Sequence, residues 1–119
     1  TDVFKAGAAV APVTDWRYYD SAYTERYPKL PSDNAEGYKD SSPVSQADKL
    51  QGALLVIHGT GDDNVHWQNT LAFLDRLYRA DKPYDLQLYA NKNHGIGGKE
   101  ARIHLHRRIA EHFVHALAP

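Results

Sequence analysis

The sequence predicts an α/β fold in which parallel strands are joined by crossover helices. Short apolar runs alternate with longer segments of helical period, as strands and helices do in α/β proteins. The run 53–58 is apolar nearly throughout and stops at Gly59, which is typical of a strand buried on both faces. Polar loops follow this run and the next predicted strand, 84–90, at the end of the sheet where α/β proteins place their sites.

The first predicted strand covers 6–11, where small and apolar residues follow one another without polar alternation. This composition favours a parallel strand packed closely against helices. Three strands covered by a few helices would leave a long unpaired edge. We therefore expect the chain to be part of a larger domain.

Aromatic side chains are concentrated after the first strand, and five of the eight tyrosines fall between Tyr18 and Tyr38. Trp16, Tyr19 and Tyr23 are spaced so that a helical turn would place them on one face. Core packing would explain this spacing. A flat-walled pocket is the alternative, because the segment follows the carboxyl end of a strand, and a proline ring would fit such walls.

The remaining predicted elements are mostly helical. Residues 28–51 read as a surface excursion, with Ser32 capping a short helix through Gly37 and Ser42-Pro43 starting another through Leu50. Residues 66–82 read as a helix. A final helix carries apolar residues at i, i+4 spacing, namely Leu105, Ile109, Phe113 and Leu117.

An acid loop and a histidine loop end consecutive predicted strands. Asp62 and His94 lie 94 − 62 = 32 positions apart, about one βαβ unit, and a parallel crossover brings both loops to one edge. Acid followed by histidine is the order in α/β hydrolases, where the serine comes earlier. Asp62 and Asp63 also suit turn or cap roles, and spacing alone does not choose between them.

Several other functions are disfavoured. The net charge of −1 and the scattered Lys and Arg residues argue against nucleic acid binding. There is no cysteine and no apolar stretch of membrane-spanning length, and we expect no signal peptide at the start of the sequence. The histidines of the last helix lack the carboxylate or Cys that a zinc pattern needs, so we expect no metal. Gly59 and Gly61 are followed by two carboxylates and lack the third glycine of a dinucleotide-binding turn, so we expect no cofactor. His58, at the end of a buried strand, is predicted to be a hydrogen-bonded core group.

Three motifs carry a resemblance to a known family. Residues 58–66 (HGTGDDNVH), 93–96 (NHGI) and 11–27 (APVTDWRYYDSAYTERY) resemble, in that order, the C-terminal end of the catalytic domain of dipeptidyl-peptidase-IV-like serine peptidases of the prolyl oligopeptidase family. The similarity runs from about Phe4 to the final helix. It implies that residues 1–119 form the C-terminal part of an α/β-hydrolase domain.

The resemblance also implies residue roles and an activity. Asp62 would be the triad acid and His94 the general base, in an enzyme that releases Xaa-Pro or Xaa-Ala dipeptides from peptide N-termini. The substrates would be peptides with proline at the second position. Arg26 would support the pocket, and Asn64 would hydrogen-bond the substrate backbone. The implied walls of the proline pocket are Val13, Trp16, Tyr19, Tyr23 and Val65.

The chain departs from the family pattern in what it lacks. No Gly-x-Ser-x-Gly elbow occurs here, and neither the propeller domain nor the oxyanion tyrosine of the family is present. None of the five serines is flanked by glycines; they are Ser21, Ser32, Ser41, Ser42 and Ser45. We therefore expect the nucleophile to come from the rest of its own polypeptide and this chain alone to be inactive.

The resemblance further implies frequent homodimerisation, with the last helix as the candidate interface, and suggests a periplasmic or secreted location. Two alternatives remain at this point. One is a non-catalytic piece that serves in structure or dimerisation. The other is a different α/β hydrolase, such as an acylaminoacyl peptidase or esterase, against which the aromatic cluster argues.

Overall fold

The computed structural model describes residues 3–119, and within them the chain forms one three-stranded parallel sheet. The strands are β1 (Ala6–Val10), β2 (Ala53–Gly59) and β3 (Asp85–Tyr89), with β2 in the centre. Ala8 pairs with Leu55, and Leu55 pairs in turn with Asp85. The predicted α/β class is confirmed. The first strand ends one residue early because Ala11 takes a φ of 47°, which is outside the extended region.

Four α-helices and two 3-10 helices accompany the sheet within residues 3–119. The α-helices are α1 (Ser21–Thr24), α2 (Ala35–Asp40), α3 (Gln68–Arg79) and α4 (Lys99–Leu117), and the 3-10 helices are Trp16–Tyr18 and Pro43–Lys49. The third α-helix is shorter than the predicted 66–82 at both ends. It starts after Trp67, and Asp81 with its φ of 55° turns the chain before Pro83.

The sheet is packed on both faces, so β2 is buried as its sequence predicts. Leu55 and Ile57 lie on one face against Ile96 and Leu105, the latter from α4. Val56 lies on the other face, where the cluster is completed by Ala47, Leu74 and Leu77. Burying each large side chain of this kind contributes roughly 1.5–3 kcal/mol. These two clusters hold the carboxyl end of β2, and the acid loop after it, in a fixed place.

Of the two predicted caps, that of α2 is wrong, and that of the Pro43–Lys49 helix is at the predicted residue but without a capping hydrogen bond. Ser32 does not cap α2, since Asn34 takes that position and its Oδ1 accepts from the Gly37 amide at 3.1 Å. The helix also continues past Gly37 to Asp40. Ser42 stands at the predicted N-cap of the Pro43–Lys49 helix, but its hydroxyl donates to the Thr14 carbonyl at 2.9 Å instead of capping. Asn and Ser both suit caps, so sequence alone does not choose between neighbours.

The aromatic segment is not one continuous helical turn. The 3-10 helix ends at Tyr18, and Tyr19 is extended (φ −108°, ψ 166°) before α1 begins at Ser21. Asp15 and Asp20 cap the two short helices by accepting from the amides of Arg17 and Ala22. The predicted single helical face is therefore wrong, although the rings still meet, as described below.

Candidate active site

Backbone hydrogen bonds join the acid loop to the histidine loop. The Thr60 amide donates to the Tyr89 carbonyl at 3.0 Å, and the Gly61 amide donates to the Lys92 carbonyl at 3.0 Å. In return, the Asn91 amide donates to Thr60 Oγ1 at 2.9 Å. The loops approach so closely that a Cβ on Gly59 would clash with the Lys92 carbonyl oxygen, which explains the glycine at this position.

Asp62 and His94 are in direct contact across these loops. His94 Nδ1 lies 2.9 Å from Asp62 Oδ2, and the Asp62 side chain is fully buried while that of His94 is 46% exposed. Asp63 is exposed and Asp62 is the residue that reaches the imidazole. With Nδ1 turned to the carboxylate, Nε2 on the far side of the ring is available to a reacting group. This is the arrangement of acid and base in a serine hydrolase triad.

The Asp62 carboxylate accepts hydrogen bonds at both oxygens. The amides of Asn64 and Val65 donate to Oδ1 at 3.0 and 2.8 Å. Two imidazoles approach Oδ2, since His58 Nε2 lies 3.2 Å away in addition to His94 Nδ1. A carboxylate has about four lone-pair positions, so these four donors fill them and fix the orientation of the group.

These contacts keep Asp62 ionised. Burial by itself raises the pKa of a carboxyl group, but the hydrogen bond from His94 and those from the Val65 and Asn64 amides outweigh that effect. The pKa of Asp62 therefore lies below its usual value of 3.8. A carboxylate that stays charged when buried is suited to stabilise an imidazolium beside it.

Three aromatic rings predicted as pocket walls form a cluster. The Trp16 and Tyr23 rings stack at a centroid distance of 5.9 Å, and Tyr19 meets each of them edge-on, at 6.2 and 5.6 Å. Tyr27 extends the cluster from Tyr23 at 4.9 Å, and the Arg26 guanidinium lies 5.9 Å from the Tyr27 ring. Trp16 and Tyr19 are half-buried, and Tyr23 remains 48% exposed, so the rings present an open aromatic surface.

Asn64 links the aromatic cluster to the acid loop. The Tyr19 hydroxyl donates to Asn64 Oδ1 at 3.0 Å, which leaves the amide NH2 of Asn64 directed elsewhere as a donor. Val65, also predicted as a wall, is only 3% exposed, and its backbone amide donates a hydrogen bond to Asp62 Oδ1. Val13 is half-buried at the start of the aromatic segment.

Thr14 is the centre of a buried polar cluster that the sequence does not predict. Its hydroxyl donates to the Asn69 carbonyl at 2.6 Å, and its amide donates to Asn69 Oδ1 at 3.1 Å. Its carbonyl accepts from the Ser42 hydroxyl and from the Val44 amide. Thr14 thus fastens the aromatic segment to the start of α3. Only the Thr and Asn identities hinted at this, because the partners lie 55 positions apart.

A buried carboxylate, Asp15, also stabilises the start of the aromatic segment. It is fully buried at its side chain, and Arg17 forms an ion pair with it. Burial alone raises the pKa of this carboxyl, but the hydrogen bonds and charge of Arg17 outweigh it and leave the pKa below 3.8. Asp15 also caps the Trp16–Tyr18 helix, because its side chain accepts a hydrogen bond from the Arg17 amide.

A parallel sheet that delivers a buried acid and a histidine to the carboxyl ends of neighbouring strands defines an α/β-hydrolase type of protein. The family is shown by comparison with known proteins. The model of the prolyl oligopeptidase family matches residues 1–119, and the chain belongs to that family. The resemblance stated from the sequence is thereby confirmed.

Curated relatives are similar along nearly the whole chain. The probable dipeptidyl-aminopeptidase B of Arthroderma gypseum is 45% identical over 117 residues, which are 97% of this chain and 13% of that protein. The same-named protein of Ajellomyces capsulatus is 48% identical over 116 residues, 95% of this chain and 12% of that protein. The chain therefore spans only about an eighth of the length of these relatives.

A solved structure agrees with the fold. Porphyromonas gingivalis dipeptidyl peptidase 4 superposes with a TM-score of 0.88 at 54% identity, covering 91% of this chain and 15% of that one.

Within residues 3–119, no set of three or more His, Cys, Asp or Glu side chains is placed to hold a metal ion. In the same part of the chain, every helix is too short or too polar to cross a membrane.

Proposed function

We propose that this chain supplies the acid and the base of a serine dipeptidyl peptidase. The observation that carries the proposal is the 2.9 Å contact between Asp62 Oδ2 and His94 Nδ1 at the shared carboxyl edge of β2 and β3. The names of its relatives, dipeptidyl-aminopeptidase B and dipeptidyl peptidase 4, support the substrate class. The nucleophilic serine would come from outside these 119 residues, since no serine here is flanked by glycines.

The reaction would proceed through His94. Its Nε2 would take the proton from the serine hydroxyl as the serine oxygen attacks the carbonyl carbon of the second substrate residue. The same imidazole would then give the proton to the leaving amine as the peptide C–N bond breaks, and water would afterwards hydrolyse the serine ester and release the dipeptide. Asp62 would keep Nδ1 protonated and stabilise the imidazolium between these two transfers.

The aromatic cluster would accept the proline ring of the substrate. Trp16, Tyr19 and Tyr23 offer flat apolar faces beside the acid loop, to which Asn64 connects them. The free NH2 of Asn64 would donate to a substrate carbonyl. Val13 and Val65 would line the cluster. An esterase or acylaminoacyl peptidase has no need of such a surface for proline, so the cluster favours the dipeptidyl peptidase.

A substrate panel tests the proposal on the full-length protein that carries this sequence. We expect Xaa-Pro and Xaa-Ala chromogenic peptides to be cleaved far better than simple aryl esters. His94→Ala should lower kcat by about 10⁶-fold, the scale seen when the histidine of a serine-protease triad is removed. His106→Ala, an exposed histidine on α4, is the matched control and should leave kcat unchanged. Retained turnover in His94→Ala would contradict the assignment.

The expected homodimer stays a prediction. The apolar side chains on α4 that would supply its interface are Ile103, Val114 and Leu117, exposed at 50%, 70% and 56%. The rest of the polypeptide is the other partner that the proposal requires.

A further inference from the structure

A second histidine, outside the acid and base pair, contacts the Asp62 carboxylate. His58 is the next-to-last residue of β2 and is completely buried, and each of its ring nitrogens has a partner. Nε2 lies 2.8 Å from the Val65 carbonyl oxygen and 3.2 Å from Asp62 Oδ2, while Nδ1 lies 2.8 Å from Thr70 Oγ1. Three chain segments therefore meet at this one ring.

The partners of Nε2 fix where its proton sits. The Val65 carbonyl and the ionised Asp62 carboxylate both accept and neither donates. Nε2 must therefore carry hydrogen, which it shares between the two oxygens. Thr70 can donate its hydroxyl hydrogen to Nδ1, so the Nε2–H tautomer satisfies every contact of the ring.

We propose that His58 is a positioning residue that holds Asp62 in the orientation in which it contacts His94. The inference rests on the proposed function of that pair. The amides of Asn64 and Val65 secure Oδ1 alone, and a carboxylate held at one oxygen can still turn about that side. The Nε2–H of His58 secures Oδ2 from within the core, opposite the half-exposed His94.

The location of His58 makes this restraint rigid. It lies on the central strand, with Gly59 in register with Tyr89 beside it, and Thr70 approaches it from the buried side of α3. A group whose own orientation is fixed by buried hydrogen bonds holds its partner more accurately than a mobile loop does. Displacing a catalytic group by about 1 Å can cost on the order of 10²-fold in rate.

Paired variants of the full-length protein separate positioning from packing. His58→Gln retains an N–H near the place of Nε2, whereas His58→Met has similar length and no donor. We expect His58→Met to lower kcat and the rate of fluorophosphonate labelling by about 10- to 100-fold, with KM changed less than about threefold. His58→Gln should stay within about fivefold of wild type.

Two further variants keep the test decisive. His58→Asn places a polar side chain that is too short to reach Asp62, so it should lose as much activity as His58→Met. It therefore provides an independent test if the methionine variant folds poorly. His112→Met changes another buried histidine, on α4 beside Asp85 at the opposite end of the sheet, and should leave kcat unchanged.

The outcomes distinguish this inference from the function on which it rests. Equal kcat in His58→Gln and His58→Met, or wild-type kcat in His58→Met, would overturn the positioning role. If the wild-type protein cleaves no Xaa-Pro peptide, or if His94→Ala remains active, the proposed function itself fails. An inactive His94→Ala together with a fully active His58→Met would refute the positioning role alone.

Discussion

The two ends of the sheet each contain a buried histidine, but they hold it very differently. At the carboxyl end, both nitrogens of His58 have partners, two of them at 2.8 Å. At the amino end, His112 Nδ1 lies 3.4 Å from Asp85 Oδ2, and its buried Nε2 has no hydrogen-bond partner within residues 3–119. Asp85 is itself 58% exposed, and Arg108 approaches it only to 3.8 Å.

This difference shows that buried polar groups are better satisfied by hydrogen bonds at the carboxyl end of the sheet than at the amino end. A buried polar group without a partner costs free energy, and most proteins contain few of them. The carboxyl end satisfies its buried groups with side chains from β2, α3 and two loops. That arrangement fixes the orientation of Asp62, as a site that must place atoms accurately requires.

The largest expected effect on stability comes from exchanging His58, and not His112, for an apolar residue. His58→Met should lower the free energy of unfolding by about 2–4 kcal/mol, because Val65 O and the Thr70 hydroxyl lose a buried partner. His112→Met should change it by less than about 1 kcal/mol, since Nε2 has no such bond to lose. Urea denaturation of both variants measures these changes, and equal losses in the free energy of unfolding would contradict the difference between the two histidines.

Thr14 offers a second way to sharpen the contrast. Thr14→Val keeps the shape of the side chain but removes the buried 2.6 Å hydrogen bond to the Asn69 carbonyl. We expect a loss of about 1–3 kcal/mol in the free energy of unfolding. Ser41→Ala removes a bond of the same length to the Gly37 carbonyl at an exposed position and is the control. A greater loss in the control would contradict the importance of the buried cluster.

The α/β class and the pairing of Asp62 with His94 could be predicted from the sequence. The apolar run of β2 and the rule for parallel crossovers suffice to predict that Asp62 and His94 lie at the same edge of the sheet. The spacing of the aromatic residues also predicts that their rings share a face, although the structure forms this group from two short helices and not from one helical turn. Local patterns could not reveal the contacts of Thr14 with Asn69 or of His58 with Thr70. Those contacts depend on how separate elements pack, and a polar residue's type does not name its distant partner.

The smallest expected effect is in the pH dependence of stability. The pKa of Asp62 is lowered in the folded protein, so its contribution is fully present above the ordinary carboxyl pKa of 3.8. It is lost as the pH falls below 3.8 and through the folded-state pKa. Asp62→Asn should therefore flatten the loss of stability in acid, measured by thermal denaturation between about pH 2 and 6.

Labelling with a fluorophosphonate probe tests the central claim most directly. The full-length protein should be labelled on a serine outside residues 1–119, and His94→Ala should abolish labelling while the variant remains folded by circular dichroism. That result would show that the histidine held by Asp62 activates the nucleophile. Labelling of His94→Ala at the wild-type rate would contradict the account.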